Sequence, residues 1–179
     1  MQRIYPCELT VEQYVEWEWH RQVIAERVCP ICGEEGGLEG HGSYGRGVTT
    51  GTGEVVRILV ARFRCRGCER TVSYLPAFAL SYRLVNAATV EAYLDGDYGR
   101  RDVRRWEELL RGYRRRMAGF AVELIRIVGC GLGLSPPKPA GLWPWLRVAC
   151  GGLASAARRL VNLFRITTFR RYQCHQPAV

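Results

Sequence analysis

In the second half of the chain an apolar side chain recurs every three or four positions: Val103, Trp106, Leu110, Tyr113, Met117, Phe120, Leu124 and Ile127. That period matches the 3.6 residues of a helical turn and predicts one long amphipathic helix whose stripe needs a partner. Gly112 and Gly119 fall within it, each costing about 1 kcal/mol relative to Ala, so packing has to compensate. A second stripe after Pro144, carried by Leu146, Ala149, Leu153, Ala157, Leu160 and Phe164, predicts another helix. The simplest arrangement folds the two back on each other as an antiparallel pair. Residues 129–141, with Pro136, Pro137 and Pro139, read as the linker between them.

The first half follows other periods. Thr10-Val11-Glu12-Gln13 has the form of a capping box and predicts a helix over 11–27. Nine glycines between 33 and 53 predict turns, the β-branched run 55–64 predicts a strand, and 71–75 a second short one closed by Pro76. Asn86 is placed to cap a helix running to Leu94, and Asp102 to cap the long helix. The expected class is α+β, a small β ribbon with flanking helices and a C-terminal helical pair. Its parts are a helical lead (1–28), the ribbon (29–82), a basic helical region (83–128), a linker (129–143), and a final helix and tail (144–179).

Charge divides the chain unevenly. The 179 residues carry a formal net charge of +9. Residues 1–54 hold nine acids against four Arg, whereas 55–179 hold 22 basic residues against eight acids. Such an excess favours a polyanionic partner. Arg57, Arg62, Arg64, Arg66 and Arg70 lie on the ribbon, and Arg100, Arg101, Arg104, Arg105, Arg111 and Arg115 lie on or at the start of the long helix, mostly off its apolar stripe. These are the candidate nucleic-acid contacts. A solvated helix face, partly neutralised by Glu107 and Glu108, is the competing reading. No segment reads as a signal peptide or membrane span, and a cytoplasmic protein with reduced thiols is expected.

Two Cys-x-x-Cys pairs carry the sharpest chemistry. Cys29-Pro30-Ile31-Cys32 and Cys65-Arg66-Gly67-Cys68 bracket the ribbon, and two residues between thiolates let one tight turn present both sulfurs to a tetrahedral ion. Four protein thiolates make a closed site, so the expected ion is a structural Zn²⁺ that folds a sheet too small to fold by burial alone. Gly33 and Gly67 are expected to supply backbone freedom in the turns. Gly40-His41-Gly42-Ser43-Tyr44-Gly45 satisfies a dinucleotide-binding pattern literally, but lacks the strand before and helix after it, and reads as a turn. Cys7, Cys130, Cys150 and Cys174 form no knuckle and read as ordinary thiols. The only three Asp, Asp95, Asp97 and Asp102, cluster near one turn, and no His has a nucleophile partner, so no enzyme and no small-molecule substrate are expected.

Cys-Pro-x-Cys-Gly, then His41-Gly42-Ser43-Tyr44-x-Arg46, then an Arg-rich strand into Cys65-Arg66-Gly67-Cys68-x-Arg70-Thr71 and Leu75-Pro76, resembles the zinc ribbon of small bacterial insertion-sequence and transposase-associated proteins. In that family a helix-turn-helix commonly follows, and Val103-Arg104-Arg105-Trp106 is similar to its recognition helix. The spacer of six residues before Asp102 leaves no room for the middle helix. The resemblance implies DNA binding in the context of a mobile element, close to the nucleoid, with any chemistry left to a separate transposase. The alternative is an interaction module in which the 103–127 stripe pairs with a transposase or a second copy of the chain.

Overall fold

The β-branched run forms the centre of a four-stranded sheet of order β1-β4-β3-β2, with β1 at Gln2–Tyr5, β2 at Leu38–Thr49, β3 at Val55–Cys65 and β4 at Thr71–Pro76. The structure, a computed structural model, describes residues 1–135 and 141–171. β2 and β3 form a long antiparallel hairpin, β4 returns antiparallel to β3, and β1 lies parallel to β4. Along β3 the alternation works as the pattern implies: Ile58 and Val60 are fully buried, while Val55 and Leu59 face outward.

Two strands depart from the sequence reading. The glycine-rich stretch is a 12-residue strand rather than a turn, with its register shifting between Gly40 and Ser43 and Gly42 at φ 72°. Glycine at such a bulge relieves the strain a side chain would meet. β1 was not expected at all, because four residues offer too few positions for a period to show, and its parallel pairing joins residues some seventy apart. Its outer edge does not face water bare: Asn162 accepts from the Ile4 amide at 2.9 Å and donates to the Ile4 carbonyl at 2.7 Å.

The helices are shorter than the stripes suggest. The capping box forms, with reciprocal Thr10 and Gln13 bonds, but helix α1 spans only Val11–Glu16 and a 3-10 turn, Trp19–Gln22, follows. Glu18 adopts the left-handed region and ends the predicted 11–27 helix early. α2, Ala87–Leu94, is capped by Asn86 as expected. The long stripe is delivered by three helices, α3 (Arg101–Arg105), α4 (Glu107–Gly119) and α5 (Ala121–Leu132), broken at Trp106 and Phe120. Asp102 lies in the first turn of α3, not at its cap, which is Arg100. The second stripe is split by Gly151-Gly152 into α6 (Leu142–Cys150) and α7 (Leu153–Phe164). The supposed linker is helical as far as Leu132, and Pro136, Pro137 and Pro139 lie outside the described residues. A short hairpin, β5 (Ile166–Thr167) with β6 (Arg170–Arg171), follows α7.

One hydrophobic cluster joins sheet and helices. It contains Ile4, Tyr14, Val48, Ile58, Val60 and Leu75 together with Val90, Val103, Leu110, Tyr113, Leu124, Leu146, Leu153 and Leu160. The apolar stripe therefore finds its partners inside the chain. α7 packs on β1, α6 and α2, so the helical part lies against the sheet. Among the described residues no helix is long and apolar enough to cross a membrane.

Candidate metal centre and basic surfaces

The hairpin determines where each candidate residue sits. Its open end brings Leu38 opposite Cys65, and the two knuckles flank that end. In the first, the Cys29 amide donates to the Glu34 carbonyl at 2.8 Å and the Gly33 amide to the Cys29 carbonyl at 2.9 Å, with Gly33 at φ 82°. In the second, the Cys65 amide donates to the Arg70 carbonyl at 3.0 Å. A bond of 2.8 Å from the Arg66 amide to the Gly37 carbonyl ties the two together. Gly67, expected to supply backbone freedom, has no left-handed φ, and the atom nearest to a Cβ built there is a Glu34 carboxylate oxygen at 2.9 Å, the movable end of a flexible side chain.

The four sulfurs of Cys29, Cys32, Cys65 and Cys68 lie within 4.8 Å of one another and can hold a metal ion. Cys32 and Cys65 sulfurs are 3.6 Å apart, and those of Cys29 and Cys68 4.0 Å. A tetrahedron with metal–sulfur bonds of about 2.3 Å puts sulfurs about 3.8 Å apart, so the cluster has the size such an ion requires. The thiols also differ in acidity. Backbone N–H donation from Cys68 lowers Cys65 to about 7. The Glu34 amide favours the Cys32 thiolate too, but burial and its three neighbouring sulfurs outweigh it and push Cys32 up to about 12. Four adjacent thiolates need a cation to share their charge.

His41 is no member of the cluster, and among the described residues Cys7, Cys130 and Cys150 form no second one. Cys174 and His175 lie outside the described residues.

The predicted arginines do not form one surface. At the knuckle end Arg64 pairs with Glu69 at 3.3 Å and Arg66 pairs with Glu39, while Arg70 is exposed and Arg62 half-buried. Arg57 stands nearer the hairpin tip and lies across Gly45. The α3–α4 arginines sit beyond that tip. Trp106 donates its indole N–H to the Gly53 carbonyl at 2.8 Å, fixing the α3–α4 junction to the turn between β2 and β3. At about 3.3 Å per residue the 11 residues of β3 hold the two ends roughly 33 Å apart.

A buried polar network locks the tip to the helices. Asn86 donates to the Thr49 carbonyl at 2.9 Å and the Thr50 carbonyl at 3.0 Å, and accepts from the Thr89 amide at 2.9 Å. The Thr89 hydroxyl donates to Asp102 at 2.6 Å, and Arg100 grips the same carboxylate with bonds of 3.0 and 2.8 Å. Burial opposes ionisation of Asp102, yet the Arg100 fork, the Thr89 hydroxyl and the Val103 amide hold its carboxyl below the usual range.

Arg100 is thus a structural partner, withdrawn from the candidate contacts. Arg111 pairs with Glu107 at 2.9 Å. Arg101, Arg104, Arg105 and Arg115 are exposed, and among the described residues none of them forms an ion pair; the same holds for Arg114 and Arg116, which belong to the same basic run but are not among the candidate contacts. Val103-Arg104-Arg105-Trp106 straddles the end of the five-residue α3, with Val103 in the core, and so is not the exposed start of a recognition helix.

Residues 29–111 match a family model described as Domain of unknown function (DUF6431). The matched stretch starts at the first cysteine ligand, takes in the hairpin, β4, α2 and α3, and ends inside α4. No curated protein and no solved structure matches the chain.

Proposed function

We propose that this is a non-catalytic nucleic-acid-binding protein, directed at duplex DNA, in which a structural Zn²⁺ held by Cys29, Cys32, Cys65 and Cys68 organises the knuckle end. One observation carries the reading: Arg101, Arg104, Arg105, Arg114, Arg115 and Arg116 are exposed on α3 and α4 and form no ion pair among the described residues, on helices tied to the sheet by the Trp106 bond to Gly53 and the Asn86–Thr89–Asp102 network. Exposed, rigidly mounted arginines that outnumber the acids beside them suit phosphate backbones. The knuckle-end arginines, already paired to Glu39 and Glu69, are the secondary contacts. The resemblance of the ribbon to those of transposase-associated proteins supports a role beside a transposase in a mobile element.

The non-catalytic reading draws support from the acids. Asp102 is consumed by Arg100, and Asp95 is held by the Trp143 indole and by Arg147, each at 2.8 Å, so they are not free to gather metal ions for nuclease chemistry. Pairing with another subunit through the 103–127 stripe is disfavoured because Val103, Leu110, Tyr113, Met117 and Leu124 are already buried within one chain.

The test is a salt series. The zinc-loaded protein should bind duplex DNA with an affinity that falls steeply as salt rises, and Arg104→Ala/Arg105→Ala/Arg115→Ala together should flatten the log–log slope by about 3. Binding that is absent or indifferent to salt sinks the proposal. Tetrahedral thiolate absorption on substitution with Co²⁺ tests the metal separately.

A further inference from the structure

Gly112 sits in the middle of the 13-residue α4, where glycine costs about 1 kcal/mol relative to Ala. Among the described residues nothing calls for it. A Cβ built there would meet no atom within 4 Å, so no neighbour needs the space and its backbone is ordinary helix. Gly119, the other glycine of α4, is the last residue before the break at Phe120, where a helix former is not required. Gly112 is one of the residues that line an open surface hollow of about 500 Å³, within the roughly 300–1,000 Å³ range of ligand sites, and its missing side chain leaves the floor of that hollow clear.

The walls follow from helical spacing. Glu108 and Leu109 precede Gly112 by four and three positions, and Arg115 and Arg116 follow it by three and four, so all four surround the gap on one helix face. Trp106 and Arg105 close the hollow from the α3–α4 junction. The indole is held by its bond to the Gly53 carbonyl and packs partly on the core. It is a rigid aromatic wall beside three cations that form no ion pair among the described residues.

The geometry points to a binding site for a single unstacked nucleobase, with Trp106 and Leu109 contacting the ring and Arg105, Arg115 and Arg116 its flanking phosphates. Aromatic side chains beside a positive rim are what hold unpaired bases. Glu108 repels phosphate but accepts from an exocyclic amino group, which selects an amino-bearing base such as cytosine. The site rests on the nucleic-acid reading above and adds to it a preference for DNA with an unpaired nucleotide.

Anisotropy titrations at one salt concentration, using a short duplex with one unpaired cytosine and the same duplex fully paired, test this. The wild-type protein should bind the first about 10-fold more tightly, the order expected for one stacked base. Gly112→Leu, which projects a side chain into the hollow between Trp106 and Arg115 while improving helix propensity, should melt no lower than wild type, retain its affinity for the paired duplex and lose the preference. Gly112→Gln should do the same if leucine lowers the melting temperature. Equal affinity of the wild-type protein for both probes, or a preference that survives either filled variant, overturns the hollow alone. Failure to bind either duplex overturns the nucleic-acid reading together with it.

Discussion

The two ends of the β2–β3 hairpin are held by different physics. At the tip, the Thr49–Asn86–Thr89–Asp102–Arg100 network and the Trp106 bond to Gly53 lie over the main hydrophobic cluster. At the knuckle end that cluster has no member between Trp19 and Tyr44, and none between Val60 and Leu75. Burial in the main cluster and saturated hydrogen bonds order one end, whereas the other has only a small apolar group of its own, Val72 and Tyr74 with Phe63 edge-on to the Tyr74 ring, beside four thiols, backbone bonds and exposed ion pairs. From residue types and spacing alone, a structural ion is expected to fold the whole ribbon. Because half of the sheet belongs to the common core, an ion held by the four cysteines would have only the knuckle end to order.

The comparison breaks most visibly on metal removal. Chelation, or Cys65→Ser, should raise amide exchange by orders of magnitude at Cys29, Gly33, Cys65 and Arg66 while leaving Ile58 and Val60 protected; hydrogen-exchange mass spectrometry reads both, and cooperative loss at the two ends together would contradict the division. Next in size, Asn86→Ala strands buried carbonyls of Thr49 and Thr50 and uncaps α2, which should cost on the order of 3 kcal/mol in denaturant unfolding. It should leave the metal–thiolate absorption unchanged.

The smallest effect is acidic. Asp102 has a carboxyl held below its unfolded value of about 3.9, so the folded state binds its proton later and the stability it contributes is complete above about pH 5. That contribution is lost as pH falls through the lowered value. Asp102→Asn should reduce stability by about 1–2 kcal/mol at neutral pH and flatten the acid limb of the stability curve, measured by urea titration from pH 6 downward. An unchanged limb would mean the network does not depend on the charge.

Much of the site was legible because its chemistry is local. Two Cys-x-x-Cys pairs around a β-branched run imply a hairpin closing a thiolate cluster, and the sulfurs meet at the spacing a tetrahedral ion needs. The capping box at Thr10 and the Asn86 cap are equally local and both form. The helix breaks at Trp106 and Phe120 were not legible, since the stripe keeps its period across them. Nor was the fate of Arg100, whose partner Asp102 reads from sequence as a cap.

Residue type and spacing alone determined the two Cys-x-x-Cys pairs, the mixed α+β class and the positive charge of the second half, because each depends on composition or on neighbours within a few positions. Only the tertiary structure decided that β1 joins the sheet beside β4, that the apolar stripe is buried within the chain, and that the arginines divide into two groups roughly 33 Å apart along the hairpin. Those outcomes depend on contacts between residues far apart in the chain, and on hydrogen bonds that exist only once the sheet, α2 and α3 have met. The hollow at Gly112 belongs to both levels: the glycine is visible in the sequence, but the empty space beside it is a property of the fold.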